Sequence, residues 1–181
     1  MRAFALSASL LALALTGGAA AQDMSKFTDG PVITGFGRVV PVQSDLPIPA
    51  NFSFKVLLDG AMPAKSGEAS RTLDNAARFL NMHVAAGVPE RNIHVAVIVY
   101  GPASIDLAND TLYAARHEGK PNGNTGLVRQ LVAHGVEIYQ CGQSATAFGI
   151  SKADLLPGVK LSLSAMTARA LLQQRGYQVV Q

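Results

Sequence analysis

Cys141 is the only cysteine in the 181-residue chain, and its surroundings are of the kind that activate a thiol. Residues 136–140 (VEIYQ) read as a strand and residues 144–148 as a helix-like segment. The sulfur therefore falls at the carboxyl end of one and the amino end of the other. Unpaired N–H groups and the helix dipole at such a junction favour an anion, and the thiolate is the nucleophilic form of cysteine. Gly142 lets a second group approach the backbone, while Gln143 and Ser144 add donors at the helix start. Gly101, at the end of another expected strand, is a further candidate for holding an anion. The competing reading makes Cys141 a small buried residue that fills space, as free cysteines often do.

Other chemistries lack their residues. The stretch after the first expected strand, residues 59–63 (DGAMP), has no phosphate-loop glycine spacing. No two histidines fall at metal-ligand spacing, and one cysteine builds no thiolate zinc site. Position 144 is serine, so no Cys-X-X-Cys pair exists without a second sulfur from elsewhere. Neither a cofactor nor a metal is expected. His117 and His134 fall at helix ends, and His134 reads as structural. His83 and His94 read as surface residues, Asn109 and Asp110 as ordinary polar-face positions, and Met62 and Met166 as packing.

The amino terminus reads as a processing signal. Arg2 is followed by an apolar run over residues 3–15, and Ala19-Ala20-Ala21 fits a cleavage site, which gives a signal peptide over residues 1–21. The expectation is a periplasmic or secreted protein with no stable membrane insertion after cleavage. The whole chain has 15 Lys and Arg against 12 Asp and Glu. Arg2 leaves with the signal, so the mature chain is +2. Its charges are interspersed, which is no footprint for nucleic acid.

Residues 22–51 carry four prolines and only one strand-like triplet, Arg38-Val39-Val40. They read as an arm laid over the domain or a neighbouring subunit, or alternatively as a linker. Regular structure begins at residue 52. Strands are expected at 52–58, 93–100 and 136–140, at the alternating Val159, Leu161 and Leu163, and at 177–180. Helices are expected at 71–86, 105–117, 125–134 and 166–175, with a capping box at Ser151 and Asp154. On the 105–117 helix, Ile105, Ala108, Leu112 and Ala115 face inward. Strands alternating with helices predict an α/β domain over residues 52–181, a mostly parallel sheet of about five strands with helices on both faces. Sites in such sheets lie beyond the carboxyl ends of the strands. Those ends are Asp59-Gly60, Gly101-Pro102, Cys141-Gly142 and Ser164-Ala165.

Residues 135–151 (GVEIYQCGQSATAFGIS), 154–159 (DLLPGV) and Ser164-Ala165-Met166 through Gln173 to Gly176-Tyr177 resemble the DsrE/DsrF-like family. More specifically they resemble its exported branch, whose members carry Cys-Gly-Gln-Ser after a Gly-Val-Glu-Ile strand. Residues 122–131 are similar to that branch's asparagine-containing loop. The resemblance implies a YchN-like fold assembled as trimers or hexamers, with the cysteine near a subunit interface. It also implies that Cys141 carries sulfur as a persulfide between a donor and an acceptor protein. The expectation is thus a periplasmic sulfur carrier of sulfurtransferase type. The alternative is a non-catalytic oligomeric module that binds a small ligand, or a partner, beside a structural Cys141.

Overall fold

Apolar, β-branched runs build the centre of the sheet. In the computed structural model, which describes residues 23–180, β1 is Phe54–Gly60 and α1 is Arg71–Ala85. Then come β2 at Ile93–Val99, α2 at Asp110–Arg116, α3 at Thr125–Ala133 and β3 at Glu137–Cys141. The chain ends with α4 at Gly142–Ala147, β4 at Lys160–Ser162, α5 at Ala165–Gln174 and β5 at Gln178–Val179. The expected signal peptide, residues 1–21, lies outside the described residues.

The five strands are all parallel in the order β4-β3-β2-β1-β5. From β1 to β4 the chain steps in one direction, and right-handed crossovers stack α1 and α3 on one face. The step from β4 to β5 reverses direction across the whole sheet, so the same handedness sends α5 to the other face. That reversal brings the start of α5 beside the carboxyl end of β3, where Cys141 sits.

The larger core lies under α1 and α3 and includes Leu73, Leu80, Val97, Leu127, Leu131 and Ile138. A smaller one lies under α5: Leu57, Ala96, Ile98, Cys141, Ala165, Ala168, Leu172 and Tyr177. Three of its members are alanines, which let α5 approach the sheet closely. Glu137 fastens the far end of this layer. Its carboxylate accepts from Tyr139, Lys160, Arg175 and Tyr177, which hold its pKa down to about 2.

The arm segment packs on this chain's own domain. Ile33 is fully buried, and the buried Asn81 side chain accepts from the N–H groups of Val32 and Ile33. It also donates to the carbonyls of Ile33, Phe36 and Gly37. Gln130 pairs both ways with the Thr34 backbone. Farther on, Val42 and Leu46 are exposed.

Several expectations are corrected. The helix expected over 105–117 is a 3-10 turn, Gly101–Leu107, followed by α2. Ala108 bridges to Leu155, the Asn122 amide takes the Asp106 and Ala108 carbonyls, and Asn109 caps a new start by accepting from Leu112. Tyr113, not Ala115, therefore faces inward. Asp110 is exposed in the first turn of α2, as expected of a polar-face position, and its Oδ1 accepts from the Asn122 N–H and the Thr125 hydroxyl. His83 is buried, packed between Phe54 and Phe79. Met62 and Met166 are exposed, 83% and 76%, rather than packed. Leu161 and Leu163 are also exposed, because β4 is a three-residue edge strand whose alternation faces no core.

Candidate functional site

Cys141 ends β3 and caps α4, so the strand runs into the helix with no intervening loop. It is 5% exposed. Burial pushes the thiol pKa up, but hydrogen bonding outweighs burial and the net shift is downward. The donors are the Ser144 hydroxyl and the backbone N–H groups of Ser144, Ala165 and Gln143. Two of these N–H groups open α4 and one opens α5, so two chain segments far apart in sequence stabilise the same thiolate.

The Ser144 hydroxyl has a fixed role. Its oxygen accepts the Gly101 N–H at 2.9 Å, which leaves its proton for the sulfur. Gly101 thus acts on Ser144 and is not free to hold a substrate directly. It sits at φ +58, a conformation that glycine adopts without strain, and Pro102 follows it.

Gly142 is explained by packing. A Cβ there would meet the Ser162 carbonyl oxygen at 2.5 Å, so the space expected for a substrate is taken by the β4–α5 link. Gln143 contributes its N–H, while its exposed side chain reaches the Leu163 carbonyl at 3.4 Å. Of the sequence candidates, Cys141, Gln143 and Ser144 meet at the sulfur, and Gly101 and Gly142 shape the backbone around it.

Ser164-Ala165, expected at one of the strand ends that frame the site, contributes the Ala165 N–H, and Ser164 marks the start of α5 by accepting from Thr167. On the same face of the sheet lies a further group centred on Arg169. Tyr100 packs against the cluster that holds Cys141. On α5, Arg169 donates through Nε and Nη2 to Asp59 Oδ2 at the end of β1. The Asp59 carboxylate holds the Arg169 pKa above its ordinary value.

No imidazole serves the thiol. His83 bonds the Phe79 carbonyl, His117 stacks on Tyr113, and His134 pairs with Glu90. His94 is exposed near the opposite end of β2. A cleft of about 590 Å³ opens between β4 and α5, lined by Tyr139, Leu161, Ser162, Leu163, Ala168 and Leu171 among others. Cys141 does not line it, but Ser162, the register partner of Cys141, and Ala168, a member of its cluster, do.

The profile of the DsrE/DsrF-like family matches residues 55–181. A solved structure of a protein of unknown function, MTH1491 from Methanobacterium thermoautotrophicum, is similar with a TM-score of 0.50 and 19% identity. That match covers 72% of this chain and 98% of the other. The ychN protein of E. coli is similar at TM-score 0.46 and 15% identity, over 70% of this chain and 99% of that one. No curated protein matches in sequence.

Proposed function

Because the chain belongs to the DsrE/DsrF-like family, which is associated with sulfur relay, we propose that it is a sulfur carrier acting through Cys141. The observation that supports this reading most is the seat of a buried thiol where β3 runs directly into α4, with Ser144 oriented by the Gly101 N–H and the Cys141 pKa lowered by its neighbours. A thiolate held this way attacks the outer sulfur of a donor such as thiosulfate. The new bond joins Cys141 Sγ to that sulfur, the S–S bond of the donor breaks, and sulfite departs with its electron pair. The balance is Cys–S⁻ + S–SO₃²⁻ giving Cys–S–S⁻ + SO₃²⁻, with no outside oxidant. An acceptor thiolate then takes the terminal sulfur and restores the Cys141 thiolate. The N–H groups that stabilise the thiolate also face the persulfide anion.

The setting that goes with this role is the periplasm, reached through the amino-terminal signal, and assembly from copies of the same chain. Exposed Leu161, Leu163, Met166 and Leu171 around the β4–α5 cleft favour such assembly. Cell fractionation and sedimentation test the two points separately.

The test of the carrier role is cyanolysis. Protein loaded with thiosulfate or polysulfide and freed of excess donor should release thiocyanate on addition of cyanide, in about one equivalent per chain under the one-site scheme. Cys141→Ser should release none. Equal release from Cys141→Ser contradicts the proposal.

The second reading is a ligand-binding module with a structural cysteine, and the 5% exposure of Cys141 favours it. A thiol that resists every reagent until the protein unfolds would select that reading.

A further inference from the structure

Three strand ends on the α5 face carry side chains that meet one helix. The parallel register places Tyr139 beside Ile98, so by continuation Cys141 lies beside Tyr100. Tyr100 packs against the Cys141 cluster. Arg169 lies one helical turn beyond Ala165, whose N–H faces the sulfur. Asp59, 13% exposed, fixes the guanidinium through Nε and Nη2, and neither of those hydrogen bonds uses Nη1. The Arg169 side chain remains 34% exposed. The result is a planar cation held in place by Asp59, partly open to solvent, at the same end of the same sheet face as the thiol.

We propose that Arg169 anchors the anionic end of the molecule that reacts with Cys141, and so selects anionic sulfur donors. The inference rests on the carrier reading and adds to it the charge class of the donor and the residue that reads it. Arginine suits the task because its fork of donors matches oxyanions such as sulfonate and carboxylate. With thiosulfate the anchored sulfonate is also the leaving group. Arg169 then stabilises the charge that builds on sulfite as the S–S bond breaks.

A purely structural Arg169 would only pin α5 to β1, and the two roles separate in the rates of two reagents of similar size. Iodoacetate is anionic and iodoacetamide is neutral, and neither requires sulfur transfer. Their relative rates on Cys141 are compared with those on a free cysteine peptide. In the folded wild type the ratio should favour iodoacetate over the peptide by about tenfold, the value of one charge-assisted hydrogen bond. Arg169→Gln should remove that preference while leaving the iodoacetamide rate within about twofold, and Arg169→Lys should keep part of it. Equal loss of both rates, or an unchanged ratio, overturns the anchor.

If Arg169→Gln does not fold, the wild type answers through salt. Raising ionic strength should shrink the iodoacetate preference measured against the free cysteine peptide and leave the iodoacetamide rate unchanged. Reaction with iodoacetamide and no anionic preference overturns the anchor alone. Reaction with neither reagent overturns the carrier reading and the anchor with it.

Discussion

Ser144 stands between Gly101 and Cys141. Its oxygen accepts the Gly101 N–H at 2.9 Å, and its hydroxyl heads the donors that lower the Cys141 pKa. The backbone at the end of β2 thereby orients a proton toward the end of β3. Ser144→Ala should raise the Cys141 pKa and slow native alkylation near neutral pH by about tenfold, the loss of one hydrogen bond to a charged group. The pH dependence of the alkylation rate measures this directly. An unchanged profile would mean that the backbone donors alone hold the thiolate.

Gly142 should tolerate no side chain. Gly142→Ala drives a Cβ to 2.5 Å from the Ser162 carbonyl oxygen, which is backbone. The expected cost is about 1–3 kcal/mol, read from thermal or denaturant unfolding. Displacing the β4–α5 link also moves the Ala165 N–H off the sulfur, so the Cys141 pKa should rise in the same variant. A variant as stable as wild type would contradict this packing.

Two carboxyl groups give stability opposite dependences on pH. Glu137, with a folded pKa of about 2, lies below its ordinary value of 4.5. Its contribution is fully present above that value and is lost as pH falls through the folded pKa. Asp106 is buried with Oδ1 unpartnered, and burial raises it from 3.8 to about 6 despite the Ala64 N–H and His117. Its protonated form suits the fold, so its contribution is present below 3.8 and lost as pH rises through about 6. Glu137→Gln should therefore cost on the order of 2 kcal/mol near pH 7 and little at pH near 2, after discounting for partial solvent screening. Asp106→Asn should stabilise by about 1–3 kcal/mol at pH 7 and have little effect below about pH 4. Melting temperature against pH for both variants decides the signs.

The arm should come loose when Asn81 is changed. Its side chain makes two hydrogen bonds as acceptor and three as donor to residues 32–37, all on backbone groups. Asn81→Ala should cost roughly 2–4 kcal/mol, because it strands buried donors and acceptors around Ile33. Limited proteolysis within residues 23–51 should then begin before the domain unfolds.

How far this was legible in the sequence follows from which interactions are local. Residues 93–99 and the helical spacing of Leu73, Ala76, Ala77 and Leu80 carry their own signal, and so did the parallel α/β class. The break at Ala108 did not, since it depends on Leu155 and Asn122, which lie 47 and 14 residues away. His83 read as surface because its partner Phe54 comes from another element. At the site, the junction of strand and helix pointed to Cys141, Gln143 and Ser144. Ser164-Ala165 is legible as a strand end at the same mouth, whereas Arg169 is not, because only the placement of α5 on the face opposite α1 and α3 brings a residue 28 positions after Cys141 to that end.

Whether Cys141 accepts sulfur is read most directly from the mass of the intact protein after incubation with polysulfide, before and after reduction. The wild type should gain one or more sulfur atoms that reduction removes, and Cys141→Ser should gain none. No gain in the folded wild type, with its thiol open to iodoacetamide, would contradict the carrier reading.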